Sequence, residues 1–232
     1  MRTIGVIGGM SWESTAVYYR RLNEEIKSAL GGLHSAKLVL YSVDFHEIEC
    51  MQTSGDWHSA GDMLAAAARS LESAGADIIV LATNTMHKVA AAIEGAVRIP
   101  LLHIADATGA AIRAAGFTRV GLLGTRFVME EPFYAQRLRN RFGIDAIVPE
   151  EQARKLVNRV IYDELCLGRI CDESRVEYRK IIAELVARGA QAVVLGCTEI
   201  PLLVGAADAS VPLFDTTDLH VRAAAARALD GA

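Results

Sequence analysis

Three short segments recur in the same order about half a chain apart, and nothing else in the sequence restricts the fold as strongly. Thr3-Ile-Gly-Val-Ile-Gly8-Gly9 returns as Arg119-Val-Gly-Leu-Leu-Gly124-Thr125. Gly75-Ala-Asp-Ile-Ile-Val-Leu-Ala-Thr83 returns as Gly189-Ala-Gln-Ala-Val-Val-Leu-Gly-Cys197, and Ile99-Pro-Leu-Leu-His103 as Val211-Pro-Leu-Phe-Asp215. The offsets are 116, 114 and 112 residues in a chain of 232. Each match alone is weak, because a glycine after an apolar strand is common in α/β proteins. Three collinear matches at nearly half the chain length indicate a duplicated fold with two similar lobes.

The repeated segments belong to a wider alternation. Short β-branched runs at 3–7, 37–43, 77–81, 101–104, 119–123, 192–195 and 213–214 read as strands. Between them, 13–30, 61–74, 85–96, 130–141, 150–167 and 173–188 carry apolar residues at helical spacing, several ending at a glycine. That order predicts an α/β fold of parallel sheets with crossover helices. Open sheets of this kind bind ligands beyond the carboxyl ends of their strands, so both lobes are expected to face a shared cleft with residues 8–11, 83–85, 124–126 and 197–199.

Composition narrows the partners. The 24 Lys and Arg against 28 Asp and Glu give a formal net charge of -4, with no basic stripe to neutralise a run of phosphates, so nucleic acid is not an expected partner. Apolar runs such as 78–82 fall far short of the ~20 residues of a spanning helix, and the apolar start runs into Trp12 and Glu13 without a cleavage pattern, so no membrane association and a cytoplasmic location are expected. The four cysteines, Cys50, Cys166, Cys171 and Cys197, show no CxxC spacing and no histidine set at metal-ligand spacing. Neither a metal nor a disulfide framework is expected, and any special cysteine acts as a thiol.

Thr83 and Cys197 are the same position in the two repeats. Inverting a carbon that carries one hydrogen needs a base on one face and an acid on the other, which a pseudosymmetric enzyme can supply. A free cysteine is more often a small buried hydrophobe, but Cys197 follows a strand and precedes Thr198 and Glu199 rather than another apolar residue. Asn84, Thr85 and Thr198 place an amide, hydroxyls and main-chain N–H groups at expected helix N-termini, suited to a carboxylate or simply to capping. The turn 8–11 has glycines at 5, 8 and 9 and lacks the GxGxxG spacing, which excludes a nicotinamide cofactor. His87 and Lys88 stand one turn beyond Thr83, where solvation on a helix surface is expected. Segment 44–52 reads as a loop that could bring Gln52 or Glu47 to the cleft.

Residues 4–14, Ile-Gly-Val-Ile-Gly-Gly-Met-Ser-Trp-Glu-Ser, together with Thr83-Asn84-Thr85 and Gly196-Cys-Thr-Glu-Ile200, resemble the aspartate/glutamate racemase family of cofactor-independent amino-acid racemases. Within it the likeness is to the branch with Thr in place of the first catalytic cysteine. The resemblance implies two pseudosymmetric Rossmann-like lobes, 1–99 plus 212–232 and 100–211, with the active-site cleft between them and the final helix returning to the first lobe. It also implies no cofactor and a homodimer. By the same resemblance Cys197 and Thr83 are catalytic, Asn84 and Thr85 hold the substrate carboxylate, Met10 and Ser11 form the backbone-contact loop, and Thr125 and Thr198 are their second-lobe partners. Gln52 joins these as a substrate contact. Cys166 stands near the Gly168 turn where aspartate racemases carry a lysine, and 44–52 contains no arginine for a side-chain carboxylate.

The chemistry expected is removal and return of an α-proton, with Cys197 as thiol acid/base made more acidic by a helix N-terminus. Thr83 ionises far less readily and would need His87, Lys88 or water to exchange protons. Two other readings share these residues: a one-thiol decarboxylase of a malonate-type acid, and a non-catalytic amino-acid-binding protein.

Overall fold

The computed structural model describes residues 1–230. The chain opens with strand β1 (Ile4–Gly8), helix α1 (Trp12–Leu30), β2 (Leu38–Ser42), α2 (Phe45–Ser54), α3 (Trp57–Ser73) and β3 (Ile78–Leu81). A 3-10 turn at Thr85–Val89 leads into α4 (Ala90–Ala96), followed by β4 (Leu101–Leu102) and α5 (Ile104–Ala114). The second half runs β5 (Arg119–Gly124), α6 (Arg126–Glu130), α7 (Pro132–Phe142), β6 (Asp145–Ile147), α8 (Glu151–Asp163) and α9 (Asp172–Ala187). It closes with β7 (Ala192–Gly196), α10 (Ile200–Leu203), β8 (Leu213–Asp215) and α11 (Thr216–Leu229).

Two compact units result, Met1–Ile104 with His220–Ala232, and Ala105–Leu219. Each holds a four-stranded parallel sheet, ordered β2-β1-β3-β4 in the first and β6-β5-β7-β8 in the second. The repeat carries through to the register. Ile4 pairs with Ile78 and Ile79 with Leu101 in the first unit, while Val120 pairs with Ala192 and Val193 with Leu213 in the second. Those are the positions related by the offsets of 116, 114 and 112.

Side chains alternate across a strand, and the burial of the first unit follows that period. Ile4, Val6, Ile78 and Val80 pack with Tyr18 and Leu22 of α1 and with Val221, Ala224 and Ala228 of α11. Ile7, Ile79 and Leu81 pack on the other face with Leu64, Ala67, Ala68 and Leu71 of α3. In the second unit Leu123, Val193 and Leu195 meet Val157, Val160 and Ile161 of α8 and Tyr178, Ile181, Ile182 and Leu185 of α9. Both faces of each sheet are covered, as expected where crossover helices follow parallel strands.

Several elements lay outside the pattern read from the sequence. Strand β6 is three residues long and half-buried, too short to show a period. Segment 44–52, expected as a loop, is mostly helix α2, capped by Asp44, whose Oδ1 accepts the N–H of His46 at 3.0 Å, and ended by Gly55 at φ 77°. Only Ile48 and Gln52 of α2 are buried, so its apolar spacing is faint. Helix α5, absent from the pattern, starts one residue beyond β4, whereas α11, the final helix that the resemblance implies, starts directly at the end of β8. Among the described residues, no helix is long and apolar enough to cross a membrane.

Candidate active site

Most of the residues singled out in the sequence fall at the carboxyl ends of the two central strands of each sheet. In the first unit these are β1 and β3. Ser11 caps α1, its Oγ accepting the N–H of Ser14 at 3.4 Å, and Met10 is buried against the α3 face. The two glycines before them have a packing role rather than a phosphate-cradling one. A Cβ on Gly8 would come 2.4 Å from Thr15 Cγ2, and Gly9, at φ +93°, would drive a Cβ into the Val43 carbonyl at 2.2 Å. That closeness lets Thr15 Oγ1 accept the Gly9 N–H at 2.8 Å and donate to the Ser11 carbonyl at 2.8 Å, fixing the turn.

Thr83, 7% exposed, follows β3, and Asn84 and Thr85 beside it are also buried. Asn84 sits at the N-cap position of the 3-10 turn, but its side chain makes no capping hydrogen bond, so simple capping does not explain it. Gln52 comes in from α2, its Nε2 3.0 Å from the Sδ of Met86, one residue beyond Thr85. Met10, Ser11, Gln52, Thr83, Asn84 and Thr85 therefore belong to one end of one sheet. Glu47, on the same helix, is exposed.

His87 and Lys88 depart from expectation. His87 is 2% exposed rather than solvated, because the 3-10 turn tucks its ring under the sheet end. Its Nδ1 lies 2.7 Å from the Thr83 carbonyl oxygen, and its Nε2 accepts the N–H of Ile104 at 3.1 Å. Lys88 places its Nζ 3.7 Å from the centre of the Trp57 ring, a cation–π contact that directs it to α3.

In the second unit the corresponding strands are β5 and β7, paired through Gly124 and Gly196. Thr125 caps α6, its Oγ1 accepting the Val128 N–H at 3.4 Å. Cys197, 7% exposed, follows β7 and donates its S–H to Glu199 Oε2 at 3.0 Å. The Thr198 hydroxyl donates to the same oxygen at 2.7 Å. Glu199 is itself buried, so two donors converge on a carboxylate largely out of water.

This arrangement corrects the expectation of a thiol acidified by a helix N-terminus. Helix α10 has four residues and begins at Ile200, beyond the carboxylate. Burial, followed by the charge of Glu199, pushes the Cys197 thiol well above its ordinary pKa. The thiol rests protonated, with a proton acceptor already in contact. Glu199 was not among the residues expected to act. The sign available in sequence was its place two residues after the cysteine that follows β7, near enough in the turn for a carboxylate to reach the thiol.

The metal expectation needs one amendment. Because 44–52 is helical, His46, Glu49 and Cys50 share a face of α2, with ligand atoms within 4.8 Å of one another. Cys50 Sγ lies 3.7 Å from His46 Nε2, whereas Glu49 accepts the hydroxyl of Thr53, outside the group, at 2.7 Å.

Comparisons with known proteins agree with the fold. A family model described as Asp/Glu/Hydantoin racemase matches residues 7–224. The crystal structure of a candidate Asp/Glu racemase from Yersinia pestis is 57% identical, with a TM-score of 0.93 over 99% of this chain and 100% of that one. An aspartate racemase homologue from Pyrococcus horikoshii OT3 is 34% identical, with a TM-score of 0.83 over 98% of this chain and 99% of the other. A glutamate racemase from Pseudomonas aeruginosa is 30% identical over 131 residues, 56% of this chain. That match takes in 48% of the Pseudomonas protein, so the chain spans about half the length of this curated relative.

Proposed function

Since the chain belongs to the Asp/Glu/Hydantoin racemase family, we propose that it is a cofactor-independent racemase of an amino acid, with aspartate and glutamate as the substrates of choice. Cys197 exchanges the proton on one face of the substrate Cα, and Thr83 serves the other. The observation that carries this reading is the buried S–H to carboxylate contact between Cys197 and Glu199.

A protonated thiol is not a base, so the L substrate must meet Cys197 as thiolate. Releasing the thiol proton to bulk water from a buried site is costly, but passing it 3.0 Å to Glu199 leaves the net charge of the pair unchanged. The Cys197 sulfur then takes the α-proton, the substrate carbanion is reprotonated on its other face by the Thr83 hydroxyl, and Thr83 recovers its proton from water as Glu199 gives up the one it accepted, which returns all three groups to their starting states. Asn84 and Thr85 bind the α-carboxylate, where negative charge grows as the α-proton leaves. Met10, Ser11, Gln52, Thr125 and Thr198 complete the substrate contacts. The hydroxyl proton of Thr198 is committed to Glu199, so its share in substrate binding comes from the main chain. In this reading the enzyme is a cytoplasmic homodimer that uses no pyridoxal phosphate.

The test is NMR of α-proton exchange in D₂O across L- and D-amino acids, with C197A and E199Q. The wild type should exchange and racemise aspartate or glutamate, and C197A should lose exchange from the L substrate. E199Q can still accept the S–H bond but cannot take its proton, so exchange should fall about 100-fold or more. Exchange from no amino acid, together with CO₂ release from a malonate, would replace the racemase by a one-thiol decarboxylase. Exchange at wild-type rate in C197A would remove the thiol from the mechanism.

A further inference from the structure

The two repeats hold their catalytic positions by different means. Residues 83–87 read Thr-Asn-Thr-Met-His, and the equivalent 197–201 read Cys-Thr-Glu-Ile-Pro, so the place of His87 is taken by Pro201 in the second repeat. In the second unit the Cys197 side chain is engaged directly by Glu199. There the start of α11 is tied to β7 by the Thr216 hydroxyl, which donates to the Leu195 carbonyl at 2.9 Å. The equivalent of Thr216 in the first unit is Ile104, whose side chain cannot make such a bond. His87 makes the connection instead, spanning from the Thr83 carbonyl to the Ile104 N–H at the start of α5.

The chemistry of the two contacts determines the state of the ring. Ile104 N–H is a donor, so Nε2 must offer a lone pair, and the Thr83 carbonyl is an acceptor, so Nδ1 must carry the proton. Both bonds hold only for the neutral Nδ1–H tautomer. The ring is further confined by His103, with centroids 4.3 Å apart, and by His220 at 6.0 Å. An imidazole held in this way has no nitrogen left to relay a proton to the Thr83 hydroxyl.

We propose that His87 is the positioning residue of the Thr83 face, a fixed neutral clamp that sets the Thr83 backbone and hence the aim of its hydroxyl, and that it is not the proton donor for that face. This rests on the reading of Thr83 as the group that serves the second face of the substrate. In this role His87 reaches the chemistry through Thr83, so its loss should impair inversion while sparing the Cys197-dependent exchange of the L substrate.

Two variants separate position from mere packing. H87N puts an amide N–H where Nδ1–H stood and keeps the bond to Thr83, whereas H87Q places its amide near Nε2 and loses that bond. With L-aspartate in D₂O, H87Q should exchange the α-proton within about threefold of wild type while inversion drops about tenfold to a hundredfold, as for a displaced reacting group. H87N should recover most of the inversion. Equal loss of exchange and inversion in H87Q, or no advantage of H87N over H87Q, would overturn the proposal. A wild type that exchanges no α-proton at all would overturn the racemase reading and this inference with it. ¹⁵N-histidine NMR of the wild-type chain tests the tautomer without any substitution. His87 should show a protonated Nδ1 and an unprotonated Nε2 at pH 7, and the opposite tautomer or a charged ring would refute the clamp.

Discussion

Acidification should destabilise this protein through one histidine, and the size of the effect follows from its burial. His220 is fully buried, its Nδ1 2.9 Å from the Tyr18 hydroxyl and its Nε2 2.8 Å from the Leu102 carbonyl oxygen. Both partners are satisfied when Nε2 carries the proton and Nδ1 accepts from Tyr18. Burial lowers its pKa from 6.5 to about 4, against the opposing pull of the Leu102 carbonyl. The unfolded chain therefore binds a proton that the folded chain refuses. The stability this confers is fully present above pH 6.5 and is lost as the pH falls towards 4. A shift from 6.5 to about 4 corresponds to about 3 kcal/mol in total, of which about 2.5 kcal/mol is lost by pH 4.5.

Urea unfolding of wild type and H220Q, followed by circular dichroism between pH 7 and 4.5, measures this directly. Glutamine can reach the Leu102 carbonyl through its amide but offers Tyr18 no equivalent acceptor. H220Q should therefore be less stable at pH 7, by about 1–2 kcal/mol for the buried hydroxyl that loses its partner. Carboxylates titrate equally in both proteins, so the difference between the two curves isolates His220. The gap should close by about 2 kcal/mol between pH 6.5 and pH 4.5. Parallel curves over that window would show that the folded protein accommodates the protonated ring, and the burial argument would fail.

On the proposed mechanism, in which carbanions are returned by Cys197 more readily than captured from the Thr83 side, the wild type should exchange deuterium into L-aspartate faster than it forms the D enantiomer; T83C should raise inversion towards the exchange rate. Equal exchange from both enantiomers in the wild type, measured by NMR, would refute this. G196A should lower stability by about 2 kcal/mol or more in thermal unfolding, because its Cβ would stand 2.8 Å from the Leu123 carbonyl of the adjacent strand, which cannot move aside as a side chain can. G205A, with nothing within 4 Å of the added carbon and an extended φ of -136°, should change it by less than about 0.5 kcal/mol, and equal effects of the two would remove the close-approach explanation.

Much of the architecture was already written in local pattern. Strand-length apolar runs ending at Gly8, Thr83, Gly124 and Cys197, repeated at a near-constant offset, marked the central strands of both sheets. The same offsets relate their registers, because a strand buried on both faces must be apolar throughout and so leaves a legible run. Elements with a single thin buried stripe, such as α2 and β6, left too few apolar residues to be seen.

The site divided along the same line. That Thr83 and Cys197 are equivalent follows from the repeat, since equivalence is a property of order along the chain. The state of each is not, because it depends on neighbours brought close in space and on the exclusion of water. Burial beside Glu199 turned an expected reactive thiolate into a protonated thiol with an acceptor in contact. His87 looked like a surface residue one turn into a helix, and the 3-10 turn folded it inward as a backbone clamp between Thr83 and Ile104, residues 21 apart in sequence and joined through one imidazole. Local pattern specifies where strands and turns lie; pKa, tautomer and the aim of a hydroxyl are set by desolvation and by hydrogen-bond partners that only packing brings together.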